Sequence, residues 1–503
     1  MLDVDLNDYV GFSRVNEPKI IEGMIAVYYD NGWKKANTNN SGNNWYDYSV
    51  GTKKWANVVT VKETDGTKTR AEYMTAGVGT QIAEEDILSM WVWIPRYAYK
   101  ITGRYHNNGN GSIEIKFLIG TIDDYEGGQA IRSSVTNGED FVVHPAFTND
   151  LSIGGMDKEI GGFWVAKFEA SNSTAEIDNA NLQNNSVPAP TNDQRYGGGN
   201  VTSLEVTIRP NVTSWRCIDV NNIYTVCKAM NAGGNIHGLT TDIDTMMMKN
   251  SQWGAVAYLT QSNYGNKQTS VANSGMWNNN YFEGNSVENI GQTAKAMYYT
   301  TLTGMTGVGR DDGTSADFVQ TSKTVNTQTI EITGNVITYP SGVRTVGSAL
   351  TKTYYRYHTN EGQRGSTTGN IYGIYDMAGG AWEYMASFLE DGTTSWAINF
   401  KNNIAEKYRT MYAGDGATTV DSDKTINYEA NSQIYGDAVW ETSANGVPQN
   451  QAWNGDFTNF PCLASPFIHR GNYFELGSWI GVFAFSYWTG NVFIYSSFRP
   501  IAL

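Results

Sequence analysis

The chain has 503 residues and a formal net charge of −15. That acidity excludes phosphate-backbone recognition as a main role, because nucleic-acid binding needs clustered Lys and Arg. The length allows one large domain with insertions or two to three smaller ones; 53 Gly, 31 Tyr and 15 Trp supply the loop formers and rigid aromatic contact residues that also mark antibody-like surfaces.

The opening stretch MLDVDLNDYVGF shows neither a basic region nor an apolar run, so no signal peptide is visible in it. Residues 1–88 read as a small β-rich module and connector. In GMIAVYYDNGWKKA, two apolar runs flank Asp30-Asn31-Gly32, a hairpin signal. From ILSMWVWIPRYAYKI onward the texture becomes strand-rich, and SIEIKFLIGT and GGFWVAKFEAS continue it.

Two helices are expected next. One lies within SWRCIDVNNIYTVCKAMN, with Ser214 as N-cap and Trp215, Ile218, Ile223, Val226, Cys227 and Met230 at helical spacing. The other lies within DIDTMMMKNSQWGAVAYLTQ, with Met247, Trp253, Val256, Ala257 and Leu259 on one face. The Asn-, Thr-, Ser- and Gly-rich stretches at about 260–365 and 400–455 read as long surface insertions. No run of roughly 18 apolar residues appears, so no membrane insertion is expected.

Cys217, Cys227 and Cys462 form no CxxC pair, and His106, His144, His237, His358 and His469 show no metal-ligand spacing. Neither a metal nor another cofactor is expected.

The segment GNIYGIYDMAGGAWEYMAS, residues 369–387, combines a short apolar strand, a Gly379-Gly380 turn and a second strand led by Trp382. It resembles the GLYDMxGNVWEW signature of the formylglycine-generating-enzyme type of C-type lectin fold. VTSWRCIDVNNIYTVC looks like that family's first helix, SQWGAVAYL like its second, HRGNYFELGSW like its RGGSW motif and SFRPIAL like its closing strand. The resemblance covers residues 89–503 and implies an α+β, C-type-lectin-like ligand-binding domain with long loop insertions, preceded by the β-rich module. Trp215, Trp253, Trp382 and Phe498 are then core residues.

The sulfatase-modifying enzymes of this family use a C-terminal cysteine pair, and no cysteine follows Arg470 here. Their calcium site uses an Asn and a Glu; Glu383 remains, but Gly380 replaces the Asn. The chain more closely resembles the family's non-enzymatic branch, the variable proteins of diversity-generating retroelements. These are phage tail-tip and bacterial surface receptors whose last strands vary just before a constant FRP-like strand. The resemblance implies a phage virion or bacterial cell-surface location, a protein or glycan ligand on a cell surface, and an N-terminal module attached to a larger assembly. The alternatives are a structural virion or pilus component and an oxidase of the sulfatase-modifying type.

Within the last strands, Val482, Phe483, Ala484, Phe485 and Phe498 are expected to fill the scaffold, with Gly481–Phe485 as a strand and SYWTGN as a turn. The ligand-binding positions are then Tyr473, Phe474, Glu475, Trp479, Ile480, Ser486, Tyr487, Trp488, Thr489, Phe493, Ile494 and Tyr495, exposed on one face.

Overall fold

The computed structural model describes residues 15–133, 139–173, 199–267 (apart from 211 and 213), 353–415 (apart from 359), 420–444, 451–472 and 481–503 (apart from 494), with isolated short strands between 297 and 345. The fold is mixed α+β and rests on two sheets.

Strand β1 (Ile25–Tyr29) turns into β2 (Trp33–Lys35) through Asn31 and Gly32, both at positive φ, as the DNG signal requires. Strand β3 (Asn57–Val61) and strand β4 (Ile87–Pro95) are buried along their whole length. An apolar run without alternation belongs inside a sheet, where both faces are covered. With β5 (Gly162–Ala166), β6 (Thr245–Met247) and β12 (Pro500–Ala502), these strands form a seven-stranded antiparallel sheet in the order β6-β12-β5-β4-β3-β1-β2.

This arrangement corrects the expected boundary at residues 88/89. Strand β4 spans it, and β3 pairs directly with β4, Val58 opposite Trp91 and Val59 opposite Met90. Tyr48 donates its hydroxyl proton to the Trp93 carbonyl at 2.6 Å, and Trp45 and Trp55 share one hydrophobic core with Trp164 and Trp253. The N-terminal strands are built into the main sheet and do not stand apart.

Both expected helices exist with shifted limits. Helix α2 (Val220–Ala229) follows the short α1 (Arg70–Thr75) and begins after Asp219, whose carboxylate accepts the Asn222 N–H at 3.0 Å. Ser214 is not its cap. The preceding stretch is irregular and buried, with Cys217 at φ 57°, and it seats the Trp215 ring 5.8 Å from that of Phe498. Of the Met run, Met246 and Met247 lie in strand β6, paired with Ile501 and Pro500. Helix α3 (Asn250–Gln261) is buried at all twelve positions, so it has no solvent face. Its Trp253 indole N–H donates to the Val482 carbonyl at 2.8 Å, and its Ala255 carbonyl accepts the Tyr97 hydroxyl at 2.6 Å.

The second sheet contains β7 (Trp382–Leu389), β8 (Thr410–Tyr412), β9 (Phe467–Arg470) and β10 (Phe485–Trp488) in the order β8-β7-β9-β10, with β11 (Ser496–Phe498) also paired to β7. Gly379 and Gly380, at φ 87° and 80°, form the turn leading into β7, although the apolar residues before them are not a strand. The chain crosses from one sheet to the other at Arg499, between β11 and β12. Its guanidinium binds Glu383 of β7 at 2.6 and 3.0 Å, the Ala166 carbonyl at 2.7 Å and the Tyr375 carbonyl at 2.9 Å.

The described residues of the 400–455 stretch are not a surface insertion. Phe400 of α4 (Ser395–Asn403), Tyr428 of α5 (Val420–Ala430), Val439 and Trp453 are all buried in the core. Asparagines there serve the backbone: Asn431 both accepts from and donates to Ala413 at 2.8 Å, and Asn427 donates to the Pro461 carbonyl at 3.2 Å. Within 260–365, Met297–Tyr298, Val308–Asp311 and Thr353–Arg356 form one small sheet, and Ser322–Val325, Gln328–Thr333, Val336–Tyr339 and Gly342–Thr345 form a four-stranded antiparallel sheet. Among the described residues no helix is long and apolar enough to cross a membrane.

Candidate binding surface

In the C-terminal segment 481–498 backbone and side chains divide the work, and its two strands do not pair with each other: β10 pairs with β9, and β11 with β7. Ala484 ends a turn and Phe485 starts β10, so Gly481–Ala484 is not a strand; Ser486, Tyr487 and Trp488 extend β10 before the turn at 489–491. The inward set is as expected, with Val482, Phe483, Ala484, Phe485 and Phe498 buried. Phe483 packs edge-on against Trp453 at 5.1 Å, and its N–H donates to Asp456 at 2.9 Å.

Beyond the turn the chain is held through its own carbonyls. The Gly490 carbonyl accepts the Val220 N–H at the start of α2 (3.1 Å), and the Phe493 carbonyl accepts the Cys217 N–H (3.2 Å). Asn491 accepts the Tyr384 hydroxyl proton (2.7 Å), and Tyr495 accepts the Trp382 N–H (2.7 Å). Gly490 sits at φ 94°, where a Cβ would come within 2.7 Å of the Phe467 ring. None of these four bonds uses a side chain of 489–495.

Ser486, Tyr487, Trp488, Thr489, Phe493 and Tyr495 are half-buried, not fully exposed. They also do not share one face. Successive side chains of a strand point to opposite sides, and the register places Tyr487 opposite Ile468 but Trp488 opposite Phe467. Tyr487 turns toward α5, where the Lys424 ammonium lies 5.1 Å from its ring centre. Trp488 stacks on Phe493 at 4.2 Å, and Phe493 meets Tyr495 edge-on at 5.3 Å. Both Phe493 and Tyr495 rest on a small cluster of Trp382, Phe457 and Ala484, separate from the main core. The expected positions Tyr473, Phe474, Glu475, Trp479, Ile480 and Ile494 lie outside the described residues.

Beneath the rings lies a buried layer of polar groups. His469 stacks beneath Trp382 and lies parallel to Trp488 at 6.3 Å; its Nε2 is 3.3 Å from the Ser496 hydroxyl, and burial lowers its pKa to about 3, so the ring is neutral. Deeper still, Glu383 and Arg499 form a fully buried pair, and the Glu169 carboxylate accepts the Ala381 N–H at 2.8 Å. Burial raises the pKa of both glutamates, reinforced at Glu169 by Asp376. Lys167, also fully buried, donates to Asn57 (2.9 Å) and to the Ile371 and Gly373 carbonyls (both 2.7 Å), pinning the loop before β7. Sequence reasoning passed over Lys167, Glu169 and Arg499 as site supports. Their signal was a lone charge flanked on both sides by apolar residues, as in WVAKFEA and SFRPI.

Among the described residues no group of three or more His, Cys, Asp or Glu side chains is arranged to hold a metal ion. No protein-family model matches the chain, and no curated protein matches it in sequence.

Proposed function

We propose that this protein is a non-enzymatic binding protein of the C-type lectin fold, akin to the variable proteins of diversity-generating retroelements, displayed on a phage virion or bacterial surface. Its C-terminal segment is the recognition surface. The observation that carries this reading is the anchoring of residues 490–495 through four main-chain carbonyls. A segment held by its backbone keeps its path when its side chains change, which is what a surface selected for new ligands requires. Half-exposed Trp and Tyr then serve as anchors of the hot-spot kind.

The reading is tested by sequencing the 3′ end of the gene across a population of its source. Substitutions concentrated at the codons for Tyr473–Glu475, Trp479, Ile480, Ser486–Thr489 and Phe493–Tyr495, beside a reverse-transcriptase gene and a near-copy of that end, support it. Substitutions spread evenly over residues 467–503, with no such neighbouring gene, overturn it.

A further inference from the structure

The half-buried rings of this surface are not open platforms. Trp488 and Phe493 lie nearly parallel, 22° apart with centroids at 4.2 Å, so each closes one face of the other. Tyr495 abuts Phe493 edge-on, and Tyr487 already has the Lys424 ammonium over its ring. A pyranose stacks on a whole ring face turned to water. A protein side chain instead inserts between ring edges and excludes water from them.

Charge points the same way. On the Trp488 side, the described side chains of Trp382, Phe457, Ser486, Phe493 and Tyr495 carry none, and His469 is buried among rings. Among the described residues an anionic glycan finds no cation there. On the Tyr487 side the Lys424 ammonium over the ring is itself buried. Resting on the binding role proposed above, we infer that the Trp488–Phe493–Tyr495 part of the surface takes an uncharged, apolar protein segment and not a sugar.

The test uses the full chain against two probes, a displayed random-peptide library and an array of neutral and acidic oligosaccharides. Each is applied to the wild type, to Trp488→Ser/Phe493→Ser and to Ser486→Glu. The glutamate adds a charge on the Trp488 side without removing a ring, so it remains informative if the double variant fails to fold. Expected are enriched peptides that are apolar and uncharged, weakened about tenfold or more by each folded variant, and a silent array. Oligosaccharides that bind and are weakened by the variants overturn the inference while leaving the binding role intact. If neither probe class is weakened by either variant, the inference falls together with the binding role of this surface.

Discussion

At the scale of single residues, the C-terminal segment mixes side chains of opposite tolerance a few positions apart. Phe483 is wholly buried against Trp453, and its truncation to Ala leaves a cavity, costing about 3–5 kcal/mol. Chemical denaturation is the check; a loss under about 1 kcal/mol contradicts the core assignment. His469 allows a prediction with a definite sign. Its folded pKa is lowered by burial from 6.5 to about 3, so it contributes stability above pH 6.5 that is lost as pH falls toward 3. Across that window the unfolded chain binds a proton the folded chain refuses, a slope of about 1.4 kcal/mol per pH unit from this group. His469→Gln, which cannot titrate, should flatten the fall of stability between pH 6 and pH 4 by about that slope; an unchanged profile contradicts a buried neutral His469. The inward identities of Phe483, Phe485 and Phe498 were legible from position alone. The half-burial of Trp488 and Phe493 was not, because it arises from their stacking on each other across the turn, and no one-dimensional pattern records that contact.

At the scale of elements, the decisive piece is the crossing at Arg499. Strands β11 and β12 belong to different sheets, and one guanidinium satisfies the carboxylate of β7 and two carbonyls between them. Breaking a buried pair on one side leaves an uncompensated charge, so Arg499→Met should cost about 3–5 kcal/mol. The double variant Arg499→Met/Glu383→Gln should recover part of it; equal losses in single and double variants contradict a paired role. The turn makes a second prediction. Gly490→Ala places a Cβ at positive φ and 2.7 Å from Phe467, so it should lower the melting temperature and displace Trp488 from Phe493. An unchanged melt contradicts the tight docking of this turn. Element types were readable where periodicity was clean, as in the hairpin at Asn31-Gly32. They were misread where burial erased it: α3 has no polar face, and the Met run feeds a strand because the C-terminal residues Pro500–Ala502 offer it a partner.

At the scale of the whole molecule, the N-terminal strands and the C-terminal strand share one sheet, with β3 and β4 inside it and β12 near its far edge. A sheet missing its inner neighbour exposes apolar strand face and unpaired backbone. A chain starting at residue 89 should therefore fail to fold, and the intact protein should unfold in one calorimetric transition through the core that runs from Val15 to Ala502; two resolved transitions, with the shorter chain folded, contradict this. The expected boundary at 88/89 came from a change in composition, which marks the switch from loop-rich to strand-rich sequence and not a gap between cores. Polar composition misled in the same way at 400–455, where buried aromatics are sparse but their asparagine neighbours satisfy backbone groups.

The proposed recognition surface is a backbone-anchored segment whose changeable side chains sit over a fixed scaffold. A saturation library over residues 481–498, sorted for folded protein on a display platform, separates the two sets of positions. Ser486, Tyr487, Trp488, Thr489, Phe493 and Tyr495 should accept most substitutions, while Val482, Phe483, Phe485, Gly490 and Phe498 should accept few. If Trp488, Phe493 and Tyr495 prove as intolerant as Phe483, those rings are part of the core and the recognition surface lies elsewhere.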